Sequence, residues 1–173
     1  MTDRRDELRA NLAAVRARID AARVAAGRDD AVELVVVTKF FPESDVRLLA
    51  DLGVRMVGEN RHQEAAAKAA ACADLGLSWH FIGSIQSNKA AAIATYSDVV
   101  ESVDRVKLVA PLARGAAERG RVVDCLVQVS LDPPGRQGRS GVDPDGLAAL
   151  GAAVAQAGLL RLRGLMAVAP LGE

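Results

Sequence analysis

From Glu33 onward, short runs of β-branched and aliphatic residues alternate with longer stretches of helical periodicity, and this rhythm limits the fold more than any other feature. Strands are expected at Glu33 to Thr38, Arg55 to Gly58, Trp79 to Ile82, Val99 to Ser102, Val122 to Val129 and Arg163 to Val168. Helical stretches fall between them, near residues 44 to 52, 60 to 73, 87 to 95, 104 to 119 and 144 to 158. A strand returning parallel to its predecessor needs a crossover of about a dozen residues or more, and these helices supply one each time. The fold class is therefore α/β with a parallel sheet. Six such units fit either an open doubly wound sheet or a (β/α)8 barrel that stops after its sixth strand, and periodicity does not choose between them.

Ahead of the first strand, Leu8, Leu12, Val15, Ile19, Ala22 and Ala26 recur at spacings of four and three, predicting a helix over residues 3 to 26 that Gly27 ends. The stripe is too short for a sustained coiled coil, so residues 1–28 are read as a helix packed on the domain body. Asn60 with Gln63 has the form of a capping box, and Asp143 before Pro144 offers an N-cap and a preset first turn. No Pro/Gly/Ser-rich linker divides the chain, and Asp132 to Gly138 reads as one loop. With 173 residues, half of them apolar, residues 1–173 are expected to form a single domain.

Charge and composition exclude several roles. Lys and Arg total 22 and Asp and Glu total 22, so no net field favours nucleic acid or an anionic membrane surface. The apolar runs, such as Leu34 to Val37, fall far short of the ~20 residues of a membrane helix. Acidic residues interrupt the Arg-rich N-terminus and no apolar leader follows, so a cytoplasmic location is expected. Cys72 and Cys125 lack partners at metal-ligand spacing and read as ordinary thiols.

The chemistry-bearing positions cluster where strands end. Lys39 follows Leu34-Val35-Val36-Val37-Thr38 at the carboxyl end of the first strand, the end at which β/α folds build ligand sites. By alternation it shares a face with Val35 and Val37; if those fill a barrel interior, the amine points into the mouth. A lysine partly withdrawn from water there is available to attack an aldehyde. On position alone, the plainer reading is a lysine that snorkels into water. Gly58-Glu59-Asn60 closes the second strand, either as a close approach to a ligand or as a plain turn. His80 to Lys89 leads from the third strand into a helix start with weak phosphate potential, without Walker or dinucleotide spacing. His80, between Trp79 and Phe81, reads as a satisfied core histidine, and Arg136 and Arg139 as a solvated basic loop.

Together, Val37-Thr38-Lys39-Phe40-Phe41-Pro42, Gly58-Glu59-Asn60, His80 to Gly83, Gln86 to Lys89, Ser102-Val103-Asp104 and Gly164-Leu165-Met166 occur in an order and at spacings that resemble the pyridoxal phosphate homeostasis protein family. The resemblance runs the whole length. It implies an α/β fold of the (β/α)8 TIM-type barrel, of the alanine racemase N-terminal kind, cut short after the sixth strand. It implies pyridoxal 5'-phosphate as cofactor, carried by Lys39 as an internal imine, with Asn60 and Met166 lining the pocket. His80 and Asn88 match motif positions without an assigned contact, and Arg139 stands where the family commonly has Lys. The family's phosphate cradle and the Arg facing the pyridine nitrogen are implied to lie in a continuation beyond Glu173.

The function expected from this resemblance is intracellular pyridoxal phosphate homeostasis, with the cofactor held and not used to turn over a substrate, and with pyridoxal phosphate-dependent apo-enzymes as candidate partners. The alternatives are an amino acid racemase, or a module that no longer binds the cofactor. Racemisation needs a second proton carrier opposite the lysine, and Tyr96, the one tyrosine, lies at a helix end on this reading.

Overall fold

The computed structural model describes residues 3–132 and 140–169; the loop residues Arg136 and Arg139 lie outside them. Each expected unit forms. Helix α1 (Arg4–Ala25) precedes β1 (Val36–Val37), α2 (Glu43–Asp51), β2 (Met56–Glu59), α3 (His62–Ala71), β3 (Ser78–Phe81), α4 (Ala90–Ala94), β4 (Val99–Val103), α5 (Val109–Arg119), β5 (Val123–Gln128), α6 (Leu147–Ala155) and β6 (Leu160–Met166). The strands form one sheet in the order β1-β2-β3-β4-β5-β6, with every neighbouring pair parallel. A doubly wound sheet reverses its strand order at a switch point, whereas strands laid down consecutively make the wall of a β/α barrel. The order decides between the two folds left open by the sequence in favour of the barrel wall.

Side-chain alternation gives this wall two faces. On the helix face, Val57 and Trp79 pack with Val46 and Leu49 of α2 and Leu12 of α1. Farther along, Phe81, Val100, Cys125 and Val127 pack with Ile93, Leu112, Leu150 and Val154 of α4, α5 and α6. The α2 residues Val46, Leu49 and Ala50 and the α5 residues Val109, Leu112 and Ala116 show why these segments are helices: spacings of three and four aim one apolar stripe at the sheet. The other face carries Val35 and Val37, which crowd the space above Gly58 together with Ile82.

Several elements differ from expectation. Strand β1 contributes only Val36 and Val37 to the ladder, and among the described residues it pairs with β2 alone. Asn60 does not cap α3: the cap position is Arg61, without a side-chain bond, and Asn60 Oδ1 is buried with no partner among the described residues. Asp143 likewise makes no cap bond, although Pro144 does open the turn before α6. The α1 stripe is used unevenly, with Leu12 buried, Leu8 and Ile19 half-buried, and Val15, Ala22 and Ala26 exposed. Gly27 ends the helix as expected, with φ +60° and N–H donation to the carbonyl of Val24.

A bulge in β6 decides where its carboxyl end points. Cys125 lies opposite Leu162, but Leu126 lies opposite Gly164, so Arg163 is an extra residue. Leu162 faces α6, within reach of Gly151, while Gly164 and Met166 fall in register with Leu126 and Gln128 on the inner face. Among the described residues β6 pairs only with β5, and Leu165 on it is 60% exposed. A parallel sheet with an apolar edge strand offers pairing to other chains. The 173-residue chain is therefore expected to self-associate with rising concentration in sedimentation velocity runs, and Leu165→Lys to reduce this. A strictly monomeric wild type would show that the edge is inert.

Candidate functional site

All six strands run the same way, so their carboxyl ends meet at one rim. A cavity of about 480 Å³ opens there, lined by Lys39, Asn60, Ile82, Gly83, Ser84, Gln128, Ser140 and Val168. That size falls within the usual range of small-molecule sites. Among the described residues Lys39 is its one cationic side chain, and Asn60, Ser84, Gln128 and Ser140 are neutral hydrogen-bonding groups.

Lys39 is held by the turn that follows β1. Thr38 N–H donates to the carbonyl of Gly58 at 3.0 Å, and the Thr38 carbonyl accepts from Phe41 N–H at 3.1 Å. Lys39 and Phe40 are the central residues of this turn, and Phe40 has φ +69°, a conformation rare for a bulky side chain. Strain of this kind, of order 1–3 kcal/mol, persists only where the surroundings impose it. Phe40 lies exposed between two cations, with Lys39 Nζ 5.8 Å and the Arg61 guanidinium 5.1 Å from its ring centre.

The opposite wall is polar and internally bonded. Gln128 Nε2 donates to the carbonyl of Ser140 at 2.7 Å, and the Ser84 and Ser140 hydroxyls lie 2.8 Å apart. Gly83 makes the close packing possible: a Cβ there would stand 2.1 Å from the Asn60 carbonyl oxygen. Asn60 and Lys39, expected at the site, are both in its wall. Met166 is not, although it stands in register with Gln128 and on the same face as Val168, which is. Gln128, Ser84 and Ser140 were not singled out from the sequence. Gln128 did carry a signal, as a polar residue closing an apolar strand at its carboxyl end.

Behind the rim, on the helix face, lies a buried ionic network. Glu59, 1% exposed, accepts from Lys68 Nζ and from the Thr38 hydroxyl, each at 2.7 Å through the same oxygen. Lys68 also donates to the Thr38 carbonyl at 2.8 Å. Lys68 reads from the sequence as one more solvated helix lysine; its side chain is instead only 11% exposed. His80 is not fully satisfied either. Its Nδ1 lies 2.6 Å from Glu101 Oε1, but Nε2 is buried without a partner among the described residues. Asn88 is exposed in the short turn before α4 and is not part of the cavity wall. Tyr96 faces the helices, stacked on His62 with ring centres 5.8 Å apart, and burial pushes its hydroxyl pKa up. Both cysteines are free and buried, and burial raises the Cys125 thiol to about 12. Among the described residues no group of His, Cys, Asp or Glu is placed to hold a metal ion, and no helix is long and apolar enough to cross a membrane.

Comparison with known proteins agrees with this geometry. The family model for the alanine racemase N-terminal domain matches residues 5–171. The pyridoxal phosphate homeostasis protein of Mycobacterium tuberculosis is 43% identical over 189 residues, covering 98% of this chain and 72% of its own. That of Pseudomonas aeruginosa is 46% identical over 159 residues, covering 91% and 68%. This chain belongs to the pyridoxal phosphate homeostasis protein family. A solved relative, PipY of Synechococcus elongatus with PLP bound, superposes with a TM-score of 0.73 at 39% identity, over 88% of this chain and 72% of that one. The family's barrel is thus the architecture of which the six strands form the wall.

Two expectations follow for the rim. Gly83→Ala forces backbone against backbone, so it should cost about 1–3 kcal/mol of stability in urea unfolding; an unchanged midpoint would show that the contact relaxes freely. His62 is held below its ordinary pKa, first by burial and then by the charge of Lys89. The folded state therefore favours the neutral ring, and the unfolded chain binds the proton first as pH falls. This contribution is complete above about pH 6.5 and is lost as pH drops through the depressed folded value. His62→Gln should shrink the fall in Tm between neutral and mildly acid pH, and an unaltered fall would assign the effect to other groups.

Proposed function

We propose that this chain is a pyridoxal 5'-phosphate-binding protein of intracellular cofactor homeostasis, holding the cofactor covalently and reversibly through Lys39 without turning over a substrate. Residues 1–173 act as a single cofactor-binding barrel domain, with residues 1–28 as its N-terminal helix. The observation that carries the reading is the placement of Lys39 in the rim cavity, backed by a strained turn and faced by neutral hydrogen-bonding groups.

The donor set suits the aldehyde end of the cofactor. Lys39 Nζ is the group that would hold the aldehyde carbon, by a condensation that releases water and that water reverses. Bound pyridoxal phosphate would supply an electron sink for α-carbon chemistry. Asn60 and Lys39 are both in the wall, and Ser84, Gln128 and Ser140 offer neutral partners to the ring substituents. Met166, at the inner end of β6, would approach the ligand from the side of Gln128.

What supports storage over racemisation is that the described residues of the cavity wall include no second proton carrier. Racemisation needs a base on each side of the α-carbon. The wall beyond Lys39 offers amides, hydroxyls and apolar groups, and Tyr96 is packed on the helix side against His62. A protein that releases its ligand by simple hydrolysis suits delivery to pyridoxal phosphate-dependent apo-enzymes in the cytoplasm.

The test is chemical. The chain should develop a visible absorption band with pyridoxal 5'-phosphate. Borohydride reduction and peptide mapping should then place the added mass on Lys39. Lys39→Ala should abolish the band and leave the fold intact. Modification confined to other lysines would refute the reading. Proton exchange at the α-carbon of free amino acids should stay at the rate of the cofactor alone; Lys39-dependent exchange would favour the racemase.

A further inference from the structure

We propose that Glu59 and Lys68 are positioning residues for Lys39: a buried ionic clamp on the helix face that fixes the strand end whose other face presents the amine. The inference rests on the reading that Lys39 is the ligand-bearing residue.

Thr38 is the hinge between the two faces. Its side chain points to α3, where its hydroxyl donates to Glu59, while the next residue, Lys39, lines the cavity. Every polar group of Thr38 is engaged. The N–H donates to Gly58, the carbonyl accepts from both Phe41 N–H and Lys68 Nζ, and the hydroxyl donates to Glu59 Oε1. Lys68 Nζ thus bridges β1 and β2 from α3, reaching the Thr38 carbonyl at 2.8 Å and Glu59 at 2.7 Å.

This arrangement is an expensive way to join a helix to a sheet. Elsewhere on the helix face the contact is apolar, as with Val57, Ala69 and Trp79. A buried ion pair is commonly no more stabilising than apolar residues of the same volume, and Glu59 Oε2 is left with no partner among the described residues. What the pair adds over an apolar contact is direction. Strand β1 has only two residues in the ladder, and beyond them the backbone bonds of Thr38 to Gly58 and Phe41 are the main-chain ties that the clamp reinforces at the carboxyl end of the strand. Directional bonds to both the hydroxyl and the carbonyl of Thr38 hold the peptide before Lys39 in one orientation. The amine is then presented to the cavity at fixed height and angle, and misplacement of a reacting group by about 1 Å can cost on the order of 100-fold in rate.

The experiment separates positioning from folding by comparing two ligands. Pyridoxal 5'-phosphate can condense with Lys39; pyridoxine 5'-phosphate has the same ring and phosphate but an alcohol in place of the aldehyde, and cannot. The triple variant Thr38→Val, Glu59→Leu, Lys68→Met replaces all three side-chain partners with apolar groups of similar size. It should keep the Tm of the wild type, lose about tenfold or more in affinity for pyridoxal 5'-phosphate, form the visible band more slowly, and bind pyridoxine 5'-phosphate as before. Lys68→Arg in the otherwise unchanged chain retains the charge and the donors and should keep both the affinity and the rate. Equal loss for both ligands would reduce the network to a structural role and overturn the proposal, as would unchanged affinity and rate for pyridoxal 5'-phosphate. If the triple variant does not fold, Thr38→Val alone carries the test: a selective, several-fold loss for the aldehyde ligand supports the clamp and an unselective one overturns it. A wild type that binds pyridoxal 5'-phosphate without modification of Lys39 removes the functional reading itself, whereas normal Lys39 modification with an indifferent clamp removes this inference alone.

Discussion

A parallel strand can be followed by another parallel strand only after the chain has crossed back over the sheet, and everything else in this protein depends on that constraint. The crossovers are helices, they cover one face of the sheet, and they leave all six strands ending at the same rim. Because side chains alternate, each strand delivers one set of residues to the helix layer and the other to the inner face. Val57 packs under α2, while Gly58, one residue on, lies among Val35, Val37 and Ile82. The division between core and site is therefore made residue by residue, inside each strand.

This division explains how the two chemistries near Lys39 coexist. Among the described residues the cavity side presents one amine among neutral groups, and the helix side holds an ion pair a few residues away. Sequence neighbours on a strand face opposite ways, so Thr38 and Lys39 belong to different environments although they share a peptide bond. The backbone between them is the only link. Any motion of the Thr38 peptide is passed directly to the amine, and that is why a network on the far side of the wall bears on ligand chemistry.

The legible part of the fold was the part written in local pattern. The six strands, the helices between them and the glycine that ends α1 follow from β-branched runs, spacings of three and four, and the conformational freedom of Gly27. Lys39, which lines the rim cavity, was legible as a candidate from its place at a strand end within an ordered set of family motifs. The failures were of another kind. Asn60 and Gln63 have the spacing of a capping box, yet Asn60 is drawn into the rim wall and its Oδ1 makes no cap bond. Lys68 looks like any lysine on an alanine-rich helix, and only the approach of β1 and β2 beneath it turns it inward. Gln128, Ser84 and Ser140 come from segments far apart in the chain, and no local rule brings them together.

The sequence by itself determined that this chain is a succession of β/α units and which lysine stands at a strand end, because both follow from periodicities of two and 3.6 residues acting over short distances. Tertiary structure decided the strand order, and with it barrel wall over doubly wound sheet, since pairing partners are chosen by packing across crossovers and not by any one segment. It also decided the phase of β6, where one extra residue at Arg163 moves Gly164 and Met166 to the inner face. And it decided the partners of Glu59, a carboxylate whose burial is made tolerable by a lysine that reaches it from the next helix on the same face and by the Thr38 hydroxyl.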